Sequence, residues 1–165
     1  NLIVKENYGS GKAGIDIICK SAYLVSKKQA AMCIDSGTAT VVNYVSKEGY
    51  LENVGISVGF KGMFQALHND AALLPLYDPN TSNKLLNNNT KDAIIGGNYF
   101  AYLGMLNNLI KEAKKETGCR KVYFTGGYSF MFKDVVEFAH VYDPYLLFRG
   151  MYLIYSKNKE FFNNK

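Results

Sequence analysis

Residues 35–40, Asp-Ser-Gly-Thr-Ala-Thr, bring together the groups in this sequence that are best suited to chemistry. The apolar residues 30–34 precede them and predict a buried strand that ends at Asp35. Since Gly37 permits a tight turn, main-chain N–H groups and threonine hydroxyls could surround phosphate oxygens there, while the Asp35 carboxylate could hold a cation that neutralises them. On its own, Asp-Ser-Gly-Thr is better explained by an ordinary hairpin turn, so the longer sequence context has to decide.

Two other groups of residues do not fit the patterns they suggest. Residues 9–12 look like part of a phosphate-binding loop, but such a loop needs glycine where Glu6 stands and a hydroxyl where Ala13 stands. We predict a flexible loop there. His68 and His140 have no partners at the spacing of metal ligands, so neither is assigned to a metal.

Length and composition predict a single folded domain. The chain has 165 residues, of which 48% are hydrophobic and 20% charged, and this composition excludes intrinsic disorder. No apolar run reaches the roughly 18 residues of a membrane-spanning helix, so we expect no membrane partner. The net charge of +5 comes from scattered lysines, which favours a solvated surface and makes nucleic-acid binding a distant alternative. Three cysteines without metal-binding spacing fit a reducing cytoplasm.

Apolar spacing and turn residues predict the order of the elements. We expect a helix over 14–28, strands over 30–34, 38–45 and 50–58, and a helix over 60–74. Residues 75–89 are polar and predict a loop, after which a long helix runs from Thr90, its candidate N-cap, to Glu116. The rest is a strand over 121–125, a helix over 130–138, a brief strand at 140–142 and a last helix over 145–156. This order favours an α/β layer fold with a partly antiparallel sheet.

Several short motifs, in order along the chain, resemble those of the type III pantothenate kinases. Residues 14–17 are similar to the family's Gly-x-Asp-Arg, and residues 35–40 match its Asp-x-Gly-Thr-Ala-Thr. Further similarities are Leu73-Leu74-Pro75, Asn89-Thr90, Thr125-Gly126-Gly127 and Asp143-Pro144. The resemblance covers essentially the whole chain. It implies a ribonuclease-H-like domain of the actin-like ATPase and sugar-kinase superfamily, with a mixed sheet flanked by helices.

The resemblance also implies that residues 1–165 are one domain of a two-domain kinase. The family's opening phosphate loop, Asp-x-Gly-Asn-Thr, belongs to a first domain and does not occur in this sequence. The chain is therefore expected to correspond to the second, C-terminal half. Two departures stand within that half: Ile17 replaces the family's arginine, and residues 53–59 keep little of its Gly-rich return.

Roles for the matching residues follow from the resemblance. Asp16 would be the general base on the pantothenate hydroxyl, and Gly14, Ile15, Ile17 and Thr90 would bind the substrate. Each also has a plainer explanation, since Asp16 or Thr90 could be a helix N-cap.

The nucleotide side of the site follows in the same way. Thr38, Gly126 and Gly127 would contact ATP, which arrives with Mg²⁺, and Asp35 would hold a monovalent cation, K⁺ or NH₄⁺. The two adjacent glycines could equally form a plain turn.

The first interpretation of function is ATP-dependent phosphorylation of pantothenate to 4'-phosphopantothenate, the opening step of coenzyme A biosynthesis, in the cytoplasm. The alternative is a non-catalytic relative that binds nucleotide or ligand and acts as a regulator or assembly subunit; Ile17 favours it. Small residues at Gly97, Ala101 and Gly104 are spaced to admit another helix. Intramolecular packing is the default explanation for them, and a homodimer is the second.

Overall fold

The computed structural model describes residues 4–6, 13–71 and 73–159 of the chain. The strands are β1 (Lys5–Glu6), β2 (Ala31–Ser36), β3 (Ala39–Val45), β4 (Tyr50–Val58), β5 (Val122–Thr125) and β6 (Val141–Tyr142). The helices are α1 (Ile15–Ser26), α2 (Phe60–Asp70), α3 (Thr90–Thr117) and α4 (Leu146–Lys157). The loop predicted for residues 9–12 lies outside the described residues.

The strands form one mixed sheet in the order β1-β4-β3-β2-β5-β6. Strands β2, β3 and β4 are an antiparallel meander, whereas β5 pairs in parallel with β2 and β6 in parallel with β5. Because β5 lies parallel to its neighbour β2, the chain needs a crossover connection to reach it. Helices α2 and α3 form that connection between β4 and β5. This topology is the ribonuclease-H-like sheet that the sequence motifs implied.

Alternating side chains of β2 build the two faces of the sheet. Met32 and Ile34 point into a core shared with α2 and α3, while Ala31 and Cys33 point into a second core shared with α1 and α4. All four are fully buried. A strand that is buried on both faces reads as a continuous apolar run, which is why β2 could be predicted from residues 30–34.

Two of the predicted local features were wrong. The helix expected over 130–138 is only a 3₁₀ turn, Ser129–Met131, followed by further turns. Phe132 and Phe138 are buried there, so aromatic packing fixes this segment without a helix. The N-cap of α3 is Asn89, whose side chain accepts a hydrogen bond from the Asp92 N–H, and Thr90 is the first helical residue.

Residues 75–89 contain no helix or strand, as the polar sequence predicted. Gly118 ends α3 in the left-handed conformation, with φ of +66°, which glycine adopts without strain. In the part of the chain that the structure describes, no helix has the length and apolar character needed to cross a membrane.

Candidate active site

The motif turns that follow β2 and β5 lie side by side at one edge of the sheet. The two strands are parallel neighbours, and Asp35 pairs in register with Thr125. Because parallel strands end at the same edge, the turn at 37–38 and the pair Gly126-Gly127 come together there. The structure thus joins two motifs that are almost ninety residues apart in the sequence.

Gly126 is required both by its backbone conformation and by its neighbours. Its φ of +102° lies in the region that favours glycine. A Cβ atom added at this position would lie 2.4 Å from Asp35 Oδ1 and 2.5 Å from the main chain of Ser36. The N–H of Tyr128 then donates to the Ser36 carbonyl at 2.9 Å, which ties the two turns together.

Lys20 is a functional candidate that the sequence motifs missed. Its ammonium Nζ lies 2.9 Å from Asp16 Oδ2 and also contacts Asp35 Oδ2. The Lys20 side chain is only 1% exposed, whereas that of Asp16 is 52% exposed. A buried ammonium therefore links the two carboxylates that the resemblance assigned to catalysis and to cation binding.

This three-residue charge cluster, Asp16, Lys20 and Asp35, changes the acid–base properties of its members. Burial raises the pKa of Asp16, but the hydrogen bond and positive charge of Lys20 outweigh it, so that the pKa lies below its ordinary value. Burial likewise lowers the pKa of Lys20, but the Asp35 and Asp16 carboxylates outweigh it and hold the pKa above its ordinary value. Both Asp16 and Lys20 are consequently charged at neutral pH.

The start of α1 presents Asp16 toward solvent. Gly14 is the N-cap residue and makes no side-chain cap, so the N-cap explanation of Asp16 does not hold. Asp16 lies instead in the first helical turn, where the helix dipole favours a carboxylate. An added Cβ at Gly14 would lie 2.7 Å from Asp16 Oδ1, so that carboxylate packs closely over the glycine.

A buried tyrosine on α3 supports the turn after β2. The Tyr102 hydroxyl shares hydrogen bonds of 2.7 Å with Ser36 Oγ and with Thr40 Oγ1, and Thr40 donates to the Val58 carbonyl at 2.8 Å. Tyr102 is fully buried, and burial raises its pKa despite these bonds, so the phenol stays protonated. Residues 36 and 40 are thereby fixed on either side of the turn.

The N-terminus of α2 closes the same turn from the other side. A Cβ added at Gly59, the N-cap of α2, would lie 2.2 Å from the Thr38 carbonyl oxygen and 2.5 Å from that of Gly37. Only glycine permits this approach. Thr38 itself is exposed, so its hydroxyl is open to a ligand.

The remaining substrate residues that the resemblance implied are not gathered here. Ile17 is 6% exposed and lies in the apolar core between α1 and the sheet, while Ile15 is exposed. Thr90 lines an open groove of about 640 Å³ beside Leu67 and Leu74. Thr90 precedes Tyr102 by twelve residues on α3, which is about 18 Å along the helix axis at 1.5 Å per residue. The structure brings together Asp16, Asp35, Thr38, Gly126 and Gly127, but not Thr90.

The sequence motifs missed both Lys20 and Tyr102, but one contact of Lys20 could have been predicted. Asp16 and Lys20 are four residues apart on a helix, which is the spacing at which side chains form an ion pair. Contacts of Lys20 with Asp35 and of Tyr102 with Ser36 join separate elements and depend on the tertiary fold.

A protein-family model for type III pantothenate kinase matches residues 3–112, which is most of the chain and includes β2, its turn and most of α3. The chain belongs to the type III pantothenate kinase family. A type III pantothenate kinase of Bifidobacterium longum (strain DJO10A) is 35% identical over 149 residues, covering 88% of this chain and 58% of the relative. That of Listeria monocytogenes serotype 4a (strain HCC23) is 31% identical over 127 residues, covering 76% and 49%.

The chain therefore spans about half to three fifths of the length of the curated relatives it matches.

Solved structures share its fold. A Campylobacter jejuni protein assigned to the Baf family of transcriptional activators has a TM-score of 0.67 at 23% identity, over 96% of this chain and 71% of that one. The ethanolamine utilization protein EutJ of Carboxydothermus hydrogenoformans has a TM-score of 0.51 at 13% identity, over 84% and 53%. At these identities the likeness concerns the fold alone.

Proposed function

We propose that the protein containing this chain transfers the γ-phosphoryl group of ATP to the hydroxyl of pantothenate, giving 4'-phosphopantothenate, the first step of coenzyme A biosynthesis. One observation carries the proposal: the half-exposed, ionised carboxylate of Asp16 is joined through Lys20 to the turn formed by residues 35–38 and Gly126. A base thus lies beside a glycine-lined turn suited to phosphate. Membership of the family supports the choice of substrate.

In the proposed reaction, Asp16 acts as the general base. The pantothenate hydroxyl oxygen forms a bond to the γ-phosphorus, the bond from that phosphorus to the ADP oxygen breaks, and the hydroxyl proton passes to the Asp16 carboxylate. The lowered pKa keeps Asp16 ionised and ready to accept the proton, although it also makes the carboxylate a weaker base. Gly14 and Ile15, which adjoin Asp16, would line the pantothenate pocket.

The turns at the sheet edge would hold the nucleotide. Thr38 offers an exposed hydroxyl to the phosphates, and the absence of side chains at Gly126 and Gly127 lets the nucleotide approach the backbone. We expect ATP to arrive as its Mg²⁺ complex, since phosphoryl transfer depends mainly on positioning and charge neutralisation. The residues around Asp35 do not fit a further monovalent cation, because Lys20 is already its counter-ion, so no step involves one.

We also propose a homodimer through α3, in the cytoplasm. Ala101 and Gly104 are exposed, and a Cβ added at Gly97 or Gly104 would meet nothing within 4 Å. The small residues thus have no packing role within the described part of the chain, and the intramolecular explanation lacks support. Three buried, free cysteines suit a reducing compartment.

One observation favours the second candidate, a non-catalytic relative. Ile17 stands where the family resemblance leads one to expect arginine, and its side chain is buried in an apolar core. Position 17 therefore offers no positive charge to the pantothenate carboxylate. Such a relative would bind nucleotide without transferring phosphate.

Steady-state kinetics on the complete protein distinguish the two candidates. Wild type should form ADP only when pantothenate is present. Asp16→Asn should lower kcat by about 10²–10⁴-fold, the usual contribution of a general base, with nucleotide affinity unchanged. Asp134→Asn, at an exposed site beside Lys133, is the matched control and should behave as wild type. Wild type without pantothenate-dependent turnover would favour the non-catalytic relative, and an unimpaired Asp16→Asn would remove Asp16 from the mechanism.

A further inference from the structure

Lys20 is a buried charge to which the proposed reaction gives no direct task. Its side chain is 1% exposed, too little to touch a substrate, and its ammonium lies between Asp16 and Asp35. Burying an ammonium is costly unless opposite charges surround it. Two carboxylates meet that requirement here, so the placement is a specific feature of the site.

The Asp35 carboxylate has neighbours at both of its oxygens. Oδ2 contacts the Lys20 ammonium. Oδ1 is turned toward the main chain of Gly126 and Gly37, where added Cβ atoms would lie 2.4 Å and 3.2 Å from it. A second cation at Asp35 would lie close to the Lys20 ammonium and be repelled by it.

The charges around Asp35 also do not suit a bound monovalent cation. Two carboxylates are present, and a lysine already lies between them. The residues thus disagree with the monovalent-cation role that the family resemblance implied for Asp35.

We propose that the ammonium of Lys20 takes the place of that monovalent cation, so that this protein works without K⁺ or NH₄⁺. The inference rests on the proposed function. An alkylammonium carries the same single positive charge as K⁺ or NH₄⁺, and here it is tethered to α1. Lys20 acts through Asp35 and Asp16 and is a positioning residue: it fixes both carboxylates and neutralises Asp35 beside the turn at 37–38.

A tethered cation has consequences that a dissolved ion does not. Its occupancy is independent of the salt present, because folding alone places it. Removing the ammonium leaves the partly buried Asp35 carboxylate without its counter-ion, which is unfavourable. A truncated side chain at position 20 would create a space beside Asp35 into which a small cation could bind.

The test compares the complete protein in KCl, NH₄Cl and choline chloride at equal ionic strength. Wild type should have the same kcat/KM for pantothenate in all three salts. Lys20→Ala should lose about 10²-fold in choline chloride, the lower end of what removing one preorganised donor from a site costs, and should regain activity as KCl or NH₄Cl is added. Lys20→Met fills the space and should stay low in every salt. Lys27→Ala, at the exposed lysine that forms the C-cap of the same helix, should resemble wild type.

Two results would overturn the inference. The first is a wild-type enzyme that loses activity when choline replaces K⁺, since a dissolved cation would then still be needed. The second is a Lys20→Ala variant whose activity is indifferent to K⁺, because a merely structural lysine would give that result.

Thermal unfolding gives an answer even if the protein proves not to phosphorylate pantothenate. The Tm of wild type should be equal in KCl and choline chloride, while that of Lys20→Ala should rise with KCl along a saturable curve. A saturable rise of the wild-type Tm in KCl would contradict the inference, and so would a Lys20→Ala Tm that K⁺ leaves unchanged. Failure of the proposed function is read separately, from turnover in wild type.

Discussion

The Tyr102 hydroxyl connects α3 to both sides of the motif turn, through Ser36 and Thr40. Tyr102→Phe should lower the free energy of unfolding by about 1–3 kcal/mol, because the buried Ser36 hydroxyl loses its partner while the ring keeps its contacts with Phe60 and Phe132. Urea denaturation measures the change. Tyr152→Phe, at an exposed residue of α4, is the control and should change it little. Equal losses in the two variants would show that the hydroxyl does not support the turn.

Gly126 offers a second prediction about a single residue. Gly126→Ala should destabilise the fold by about 1–3 kcal/mol, because alanine is strained at a φ of +102° and its Cβ would lie 2.4 Å from Asp35 Oδ1. Displacing Asp35 should also weaken nucleotide binding. Gly55→Ala is the matched control, since a Cβ there meets nothing within 4 Å. Calorimetric titration with a non-hydrolysable ATP analogue would measure binding, and similar affinities for both variants would contradict the expected role.

The sequence predicted the half of the site that local motifs encode. Asp35, Thr38 and the pair Gly126-Gly127 follow apolar strands, and the parallel pairing of β2 and β5 brings them together. The contacts of Lys20 with Asp35 and of Tyr102 with Ser36 were missed because they join residues 15 and 66 positions apart in the chain. A buried lysine has no local sequence pattern that separates it from an exposed one.

At the scale of elements, α1 and α4 approach each other closely at Gly150. A Cβ added at Gly150 of α4 would lie 1.8 Å from the Cys19 carbonyl oxygen of α1. Gly150→Ala should therefore force the helices apart and cost about 1–3 kcal/mol of stability. Since α1 carries Asp16 and Lys20, the same change should lower activity.

Asn69→Ala provides the comparison on another helix. Asn69 is exposed on α2, so alanine, the better helix former, should stabilise that helix by about 0.5 kcal/mol. Denaturation midpoints for the two variants should move in opposite directions. A stabilised Gly150→Ala would show that α1 and α4 can separate without cost.

The elements that the sequence predicted correctly have strong local signals. Strand β2 is a continuous apolar run, and α3 has an apolar period with glycine at its end. Residues 130–138 gave a false helix because Phe132 and Phe138 are buried by aromatic neighbours from other elements. Strand β1 was not predicted, since two residues are too short for a pattern.

At the scale of the whole molecule, the charge cluster of Asp16, Lys20 and Asp35 joins α1 to the central strand of the sheet. The order of helices and strands sufficed to predict this mixed sheet. The charge cluster depends on how α1 packs across β2, which no order of elements specifies.

The same cluster makes the stability of the molecule depend on pH. The pKa of Asp16 is lowered from its ordinary value of 3.8. The ion pair of Asp16 therefore contributes fully to stability above pH 3.8, and this contribution is lost as the pH falls through the pKa of the folded state. The pKa of Lys20 is raised from its ordinary value of 10.5. The ion pairs of Lys20 therefore contribute fully to stability below pH 10.5, and this contribution is lost as the pH rises through the pKa of the folded state. The ion pairs therefore stabilise the fold throughout the range between these two ordinary values.

Lys20→Met should be less stable than wild type at pH 7, and the difference in stability should narrow as the pH falls below 3.8, where the Asp16 carboxylate becomes protonated. Urea midpoints across the acid range measure this. Lys115→Met, which removes an exposed pair with Glu112, should differ little from wild type at any pH. If the wild-type and Lys20→Met curves stay parallel into acid, the pairing of Lys20 with Asp16 does not contribute to stability.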